Sequence, residues 1–168
     1  MGRGSIDPRA LLAHKPRIPE RCVLCFFTEV LHAGRENGRL EQIGQLSGEG
    51  DPIPIYSLVD GGSALAVVRP GLTAPFAAAV PEELIALGGR RFVAYGGAGV
   101  LDPSIAAGHL VIPRAALRDE GTSYHYQRRG RYARPHRGAL AALRAACRER
   151  RLPRQQLFEL AVDACRRI

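Results

Sequence analysis

A dense group of polar side chains lies in the segment RAALRDEGTSYHY, residues 114–126. His125 could act as a general acid or base, because imidazole exchanges protons near neutral pH, and Asp119 or Glu120 could orient it. The alternative is an interface loop whose charges satisfy one another, and the residues alone favour neither. The chemistry-bearing side chains of this segment are Arg118, Asp119, Glu120, Thr122, Ser123, His125 and Tyr126.

A glycine turn in the stretch FVAYGGAGVLDP, residues 92–103, offers chemistry of another kind. Gly96, Gly97 and Gly99 follow an apolar run, and glycine permits positive φ and close approach of a ligand to the main chain. Ligands of open α/β sheets bind at the carboxyl ends of strands. The turn is neither a GxGxxG fingerprint nor a Walker loop, and alone such a turn is more often structural than functional.

A second turn, in RPGLTAPFAA, contains Gly71 and Thr73 and comes between a predicted strand and a predicted helix. Two such turns on neighbouring strands could line one pocket, which is a stronger indication than either turn alone.

The elements that must position these groups are predicted from apolar periodicity. Two β-rich runs, 53–59 and 64–69, flank Asp60-Gly61-Gly62 and predict a hairpin. The following helix has Thr73 as its N-cap and a kink at Pro81, where a backbone hydrogen bond is lost. Hairpin, strand, helix and strand in that order predict an α/β domain with a mixed sheet. The other predicted elements are buried strands in 21–30, 90–99 and 108–120, an apolar helix face of Phe76, Val80, Leu84 and Leu87 ending at Gly88-Gly89, and two helices after Pro135.

The 168-residue length is typical of one domain with a core of its own. We expect an N-terminal arm (1–19), a core (20–134) and a basic helical C-terminus (135–168). The chain has no apolar run of about 18 residues that could span a membrane. Its first residues lack an apolar signal region, so we expect a cytoplasmic protein.

The formal net charge of +8 lies mostly after residue 113. Nucleic-acid binding by stretch 128–154 is the less favoured interpretation of this charge, because arginine-rich runs are usually solvated helix faces. Cys22 and Cys25 form a CxxC inside an apolar run, where buried structural thiols are expected. No second pair of ligands completes a zinc site, so neither a metal nor a cofactor is predicted.

The order of segments from residue 64 to 126 resembles the purine nucleoside phosphorylase and uridine phosphorylase family, which includes nucleosidases. A strand ends in a glycine-and-proline turn, a helix with EELIALG follows, and the next strand ends in the glycine turn; GHLVI and RDEGTSYHY then come in the family's order. The resemblance covers about residues 18–135. It implies a three-layer αβα sandwich around a mixed sheet, usually assembled as dimers or trimers of dimers, and cleavage of the bond between base and ribose.

The resemblance also assigns the candidate substrate-binding residues. It implies that the glycine turn faces the ligand, that the second turn approaches the ribose, and that the polar segment forms the pocket rim or a dimer interface; no catalytic residue is assigned. These residues are Gly71, Thr73, Gly96, Gly97, Ala98, Gly99, Glu120, Thr122, Ser123, His125 and Tyr126.

Two departures from the family pattern bear on activity. Ala94 and Gly97 stand where phosphorolytic members carry an arginine and a hydroxyl that hold phosphate, so phosphate remains only a possible co-substrate and Arg69 or Arg118 are alternative anion-holding groups. The resemblance also implies a last third with an M-E segment, and we expect no counterpart of it in residues 136–168. The resemblance therefore predicts a protein that binds a nucleoside or nucleobase and leaves its activity open: an active chain would be a phosphorylase or, in better agreement with Ala94 and Gly97, a nucleosidase. Its pocket would be completed by a partner subunit, or the chain would be truncated. The alternative is a non-catalytic interaction or regulatory subunit.

Overall fold

A five-stranded mixed sheet organises the first of two units in the computed structural model, Met1–Ala98; the second unit is Gly99–Ile168. The structure describes residues 7–47, 50–60, 62–99, 103, 105, 108–150, 157–158 and 161–162. The elements of the first unit are α1 (Pro8–Leu11), β1 (Arg21–Cys25), α2 (Thr28–Glu36), β2 (Glu41–Leu46), β3 (Ile53–Asp60), β4 (Ser63–Val68), α3 (Ala74–Ala86) and β5 (Arg91–Tyr95).

The strand order of this sheet is β2-β3-β4-β1-β5. β1 is parallel to both of its neighbours, β4 and β5, whereas β3 is antiparallel to β2 and β4. The predicted hairpin is confirmed as β3 and β4, in which Asp60 pairs with Ser63. The carboxyl ends of β4, β1 and β5 therefore meet at one edge of the sheet, which we call the carboxyl edge.

Alternating side chains of the strands form two apolar cores on opposite faces of the sheet, as the two-residue strand period requires. The core on one face includes α3, and the core on the other face includes Leu31 of α2 together with Tyr56. The helices thus flank the sheet in three layers. The α3-side core consists of Ile18, Cys22, Leu24, Leu46, Ile55, Ala66, Val68, Val80, Leu84 and Leu87, and the α2-side core of Cys25, Leu31, Tyr56 and Val67.

Helix α3 agrees with its predicted range and ends in a Schellman motif. Gly88 has φ of +117°, and the Gly89 N–H donates to the Leu84 carbonyl at 2.7 Å. Pro81 lies inside this helix, which runs on from Ala74 to Ala86, and the kink expected there stays a prediction. Of the predicted apolar face, Val80, Leu84 and Leu87 are buried, whereas the side chain of Phe76 is 54% exposed near the first turn of the helix.

Three expectations for the first unit are wrong. The N-terminal segment is more than an arm, because Ile18 is buried in the core and its N–H donates to the Leu87 carbonyl. Residues 28–36 form helix α2 instead of continuing the strand. The side chains of β5, the strand at the end of the five-stranded sheet, are mostly exposed rather than buried.

The second unit contains short strands and one long helix. Among its described residues, β7 pairs with β8 and β10, and β6 pairs with β9. The prediction of a second C-terminal helix is wrong at 157–158 and 161–162, which are strands; its other residues lie outside the described part of the chain. The elements are β6 (Leu110–Val111), β7 (Ala115–Leu117), a 3₁₀ helix (Thr122–His125), β8 (Tyr132–Ala133), α4 (Arg137–Glu149), β9 (Leu157–Phe158) and β10 (Ala161–Val162). No helix in the described residues has the length and apolar character needed to cross a bilayer.

Candidate functional site

The glycine turn leaves β5 at the carboxyl edge, as predicted. Gly96, Gly97, Ala98 and Gly99 are all exposed. None of the three glycines has a positive φ, so the expected left-handed backbone is not the reason for glycine here.

Close packing against Phe26 accounts for Gly96, whereas a side chain at Gly97 would meet the Phe27 ring only at ordinary van der Waals distance. A Cβ on Gly96 would lie 3.1 Å from the Phe26 side chain, and one on Gly97 would lie 3.4 Å from the Phe27 ring. Phe27 also packs edge-on against Tyr95 at 5.0 Å between ring centroids. The turn therefore rests on the two aromatic residues that follow β1 and presents its backbone outward.

The second turn follows β4 at the same edge. Gly71 is half-buried, and a Cβ there would lie 2.7 Å from Cβ of Phe76. Thr73 occupies the N-cap of α3, but its hydroxyl makes no capping hydrogen bond and its side chain is exposed. The structure thus places both turns at the ends of parallel strands, with β1 between them.

A cavity of about 300 Å³ adjoins the second turn on the α2 side, and we call it the edge cavity. The sequence did not predict it, because its residues come from three separate stretches that only the sheet brings together. The feature of the sequence that could have revealed the cavity is the presence of cationic and hydroxyl-bearing residues just beyond the ends of β1 and β4. The lining residues are Thr28, Leu31, His32, Arg35, Asp51, Pro52, Ile53, Pro54, Tyr56, Arg69, Pro70, Gly71 and Phe76.

The polar segment of the second unit is organised by Arg118, which is only 6% exposed. Its Nε donates to Ser123 Oγ at 2.8 Å and its Nη1 to the Arg128 carbonyl at 2.8 Å. Further hydrogen bonds reach the carbonyls of Gln127 and Gly130, both at 3.3 Å. The guanidinium is therefore occupied by its own loop, so Arg118 is not the anion-holding group that the sequence suggested as an alternative.

Aromatic contact reinforces this arrangement. The guanidinium carbon of Arg118 lies 4.3 Å from the centroid of the Tyr124 ring, a cation–π distance. The Tyr124 hydroxyl donates to the Arg118 carbonyl at 3.1 Å. Together these contacts fold residues 118–131 around one buried cation.

Glu120 is part of the same network rather than a partner of His125. Its carboxylate accepts the Ser123 N–H at 2.9 Å. Hydrogen bonding from the Ser123 side chain, and then from its backbone N–H, lowers the pKa of Glu120 below the usual value. No hydrogen bond or ion pair joins His125 to Asp119 or Glu120 within the described part of the segment, so the expected oriented imidazole is not formed.

The remaining candidates of the segment lie around its 3₁₀ helix. Thr122 and Ser123 are half-buried, whereas His125 and Tyr126 are exposed. The structure brings these four together with Glu120 in one loop of the second unit. Gly71, Thr73, Gly96, Gly97 and Ala98 lie in the first unit, and Gly99 begins the second.

Comparison with known proteins yields one family model and several relatives. The model described as the phosphorylase superfamily matches residues 21–159. A uridine phosphorylase of Thermococcus kodakarensis is 40% identical over 67 residues, which make up 40% of this chain and 24% of that protein. A guanosine phosphorylase of Halorubrum lacusprofundi is 29% identical over 96 residues, 54% of this chain and 40% of that protein. The chain thus matches less than half the length of these relatives.

Solved structures match over most of the chain. An AMP nucleosidase from Bacteroides thetaiotaomicron has a TM-score of 0.73 at 23% identity, covering 90% of this chain and 61% of that one. A purine nucleoside phosphorylase from Toxoplasma gondii in complex with immucillin-H has a TM-score of 0.71 at 16% identity, covering 95% and 62%. At these identities the likeness is one of fold, and it confirms the predicted α/β architecture of a mixed sheet with flanking helices.

Proposed function

Because the chain belongs to the phosphorylase superfamily, as its segment order indicated, we propose that it binds a nucleoside or nucleobase at the carboxyl edge and hydrolyses the N-glycosidic bond. The observation that carries this proposal is the exposed glycine turn at the end of β5. Its backbone is exposed over residues 96–99, and the second turn follows β4 at the same edge, with β1 between the two strands.

Water, rather than phosphate, is the proposed nucleophile. Charge-assisted hydrogen bonds from arginine are what hold a phosphate dianion firmly, and Ala94 and Gly97 offer no such side chains beside the turn. Backbone N–H groups of Gly97 and Ala98 remain as donors to a neutral hydroxyl or to water. In the proposed arrangement Gly71 and Thr73 approach the ribose.

The polar segment of the second unit is proposed to form the pocket rim or a dimer interface through Glu120, Thr122, Ser123, His125 and Tyr126. We also propose a cytoplasmic homo-oligomer, a dimer or a trimer of dimers. The free thiols of Cys22 and Cys25 support a reducing location, and the exposed β5 strand supports assembly.

A second candidate function is ligand binding without catalysis, as an interaction or regulatory subunit. It is favoured by the lack of any carboxylate partner for His125 among the described residues, and by the use of Glu120 inside its own loop. A general acid or base needs an oriented, reachable proton, and this loop does not orient one.

The two candidates separate in one experiment. The purified chain is incubated with purine and pyrimidine nucleosides, with and without phosphate, and free base is measured by chromatography alongside thermal shift. Base release independent of phosphate supports hydrolysis, and a thermal shift without base release supports the non-catalytic alternative. Phosphate-dependent release contradicts the choice of water, and neither release nor shift contradicts both candidates.

A further inference from the structure

The edge cavity concentrates positive charge where three elements converge. β4 ends at Val68 and continues into Arg69, and α2 begins three residues after β1 ends. The antiparallel pairing of Ile55 with Val68 brings the beginning of β3 to the same edge. Residues far apart in the chain therefore surround one volume of about 300 Å³, at the lower end of the range of about 300–1,000 Å³ typical of small-molecule sites.

The ionisable groups that line this cavity are two arginines, one histidine and one carboxylate: Arg35, Arg69, His32 and Asp51. Within the described residues, neither arginine forms an ion pair with Asp51 or with another carboxylate. Even counting Asp51, the lining carries a net positive charge. Two guanidinium groups facing one cavity without protein acceptors are suited to bind an anion with several oxygens.

Arg35 is held in place by the sheet below it. Its guanidinium carbon lies 5.8 Å from the centroid of the Tyr56 ring. Tyr56 is itself buried in the core that includes Leu31 of the same helix. A stacked guanidinium loses less rotational freedom on binding than a fully mobile one, so Arg35 is partly preorganised for a ligand.

The remaining wall suits a ligand with an organic part. Phe76 contributes an aromatic ring, and Pro52, Pro54 and Pro70 contribute apolar surface, while Thr28 adds a hydroxyl. A small inorganic anion alone would leave this apolar wall uncovered.

We propose that the edge cavity binds the phosphate group of a small ligand, through Arg35 and Arg69. The phosphate is either free or part of a phosphomonoester such as a nucleoside 5′-monophosphate. The site is separate from the glycine turn, where Ala94 and Gly97 provide no such side chains. The inference rests on the proposed function only for the nucleoside part of such a ligand.

Calorimetric titration of the full chain at constant ionic strength tests the inference, because surface charge effects depend on salt. The probes are inorganic phosphate, AMP and UMP, with adenosine and uridine as the parent nucleosides. The variants are Arg35→Ala, Arg69→Ala and the double variant. Arg39→Ala is the matched control, because Arg39 is exposed at the end of α2 and does not line the edge cavity.

The double variant is expected to bind the phosphate-bearing probes at least about tenfold more weakly, each single variant less so, and Arg39→Ala as tightly as the wild type. If the double variant does not fold, Arg69→Lys keeps the charge but loses the bidentate geometry, and its affinity is expected to fall between those of the wild type and Arg69→Ala. Equal binding of inorganic phosphate and the monophosphates identifies free phosphate as the ligand, whereas tighter binding of a monophosphate identifies the ester.

Wild-type affinity in the double variant, or no binding of any phosphate-bearing probe at millimolar concentration, overturns the inference. Parent nucleosides that bind while phosphate-bearing probes do not would overturn this inference and leave the proposed function intact. Phosphate binding that depends on both arginines, with no nucleoside binding, would support this inference and contradict the proposed function.

Discussion

Two glycine turns flank strand β5, and they differ in how far the protein buries them. The turn before the strand is buried: Gly88 has a positive φ, and a Cβ on Gly89 would lie 2.9 Å from the Leu84 carbonyl oxygen and from the Cys22 sulfur. The turn after the strand, residues 96–99, is exposed and has no positive φ among its glycines. The first turn closes a helix against the core, and the second leaves backbone open to a ligand.

The difference teaches that glycine content alone does not identify a site. In the first turn, other atoms of the protein fill the space that a side chain would need. In the second, a Cβ on Gly99 would meet nothing within 4 Å. Space in front of the backbone, together with a place at the carboxyl edge, is what distinguishes a candidate binding turn.

Thiol labelling gives the largest expected contrast, because Cys22 lies beneath the buried turn. Burial raises the pKa of Cys22 from 9.0 to about 11, which lowers its thiolate fraction near pH 8 about a hundredfold. Only the thiolate reacts with alkylating reagents. Peptide-resolved labelling should show Cys22 reacting about a hundredfold more slowly than the half-buried Cys147; comparable rates in the native protein would contradict the closed turn.

Substitution of Gly89 should destabilise the fold through the same contacts. Gly89→Ala forces a Cβ against the Leu84 carbonyl, which cannot move without disturbing the helix end, and about 1–3 kcal/mol of unfolding free energy should be lost. Gly99→Ala is the control and should change it by less than about 0.5 kcal/mol. Urea denaturation measures both, and equal stability of the two variants would remove the contrast.

For ligand affinity, in contrast to stability, a substitution in the exposed turn should have the larger effect. Gly97→Val places a branched side chain in front of the exposed backbone, where it should weaken nucleoside binding about fivefold, or about 1 kcal/mol. The Phe27 ring, 3.4 Å from the new Cβ, tolerates it with little change in stability. Titration with the best-binding nucleoside decides, and unchanged affinity would mean that the turn does not contact the ligand.

The smallest expected effect concerns the pH dependence of stability in the second unit. Since the pKa of Glu120 is lower in the folded state, its contribution to stability is present above its usual pKa and disappears as the pH falls through the folded value. Glu120→Gln should therefore flatten the acid limb of the stability curve, with Glu149→Gln as an exposed control. If the acid limb of Glu120→Gln is identical to that of the wild type, then Glu120 does not stabilise the Arg118 network.

Local signals predicted a large part of the fold. The hairpin was found from its turn residues, α3 from its N-cap and C-terminal glycines, and α4 from its apolar spacing, because each signal lies within a few residues of the element. Helix α2 was missed because it buries only Leu31. The exposure of β5 was also missed, since the apolar character of a strand does not reveal whether other elements cover its faces.

The candidate site was predictable only in part. The glycine turn was located correctly at the end of a strand, whereas the residues of the polar segment could not decide between a catalytic group and a loop that satisfies its own charges. Polar residues that cluster in sequence can satisfy one another locally, as Arg118, Ser123 and Glu120 do. The edge cavity shows the converse, because Arg35 and Arg69 are 34 positions apart and no local pattern links them.

The buried guanidinium of Arg118 has a kinetic consequence. A loop that depends on its ligand for order must be immobilised during binding, which weakens affinity and slows capture. Residues 118–131 are ordered instead by a cation that the chain itself supplies, through acceptors at Ser123, Gln127, Arg128 and Gly130. If this loop forms the pocket rim as proposed, we expect an arriving ligand to meet a surface formed during folding, and we expect its association rate to include no loop-ordering step.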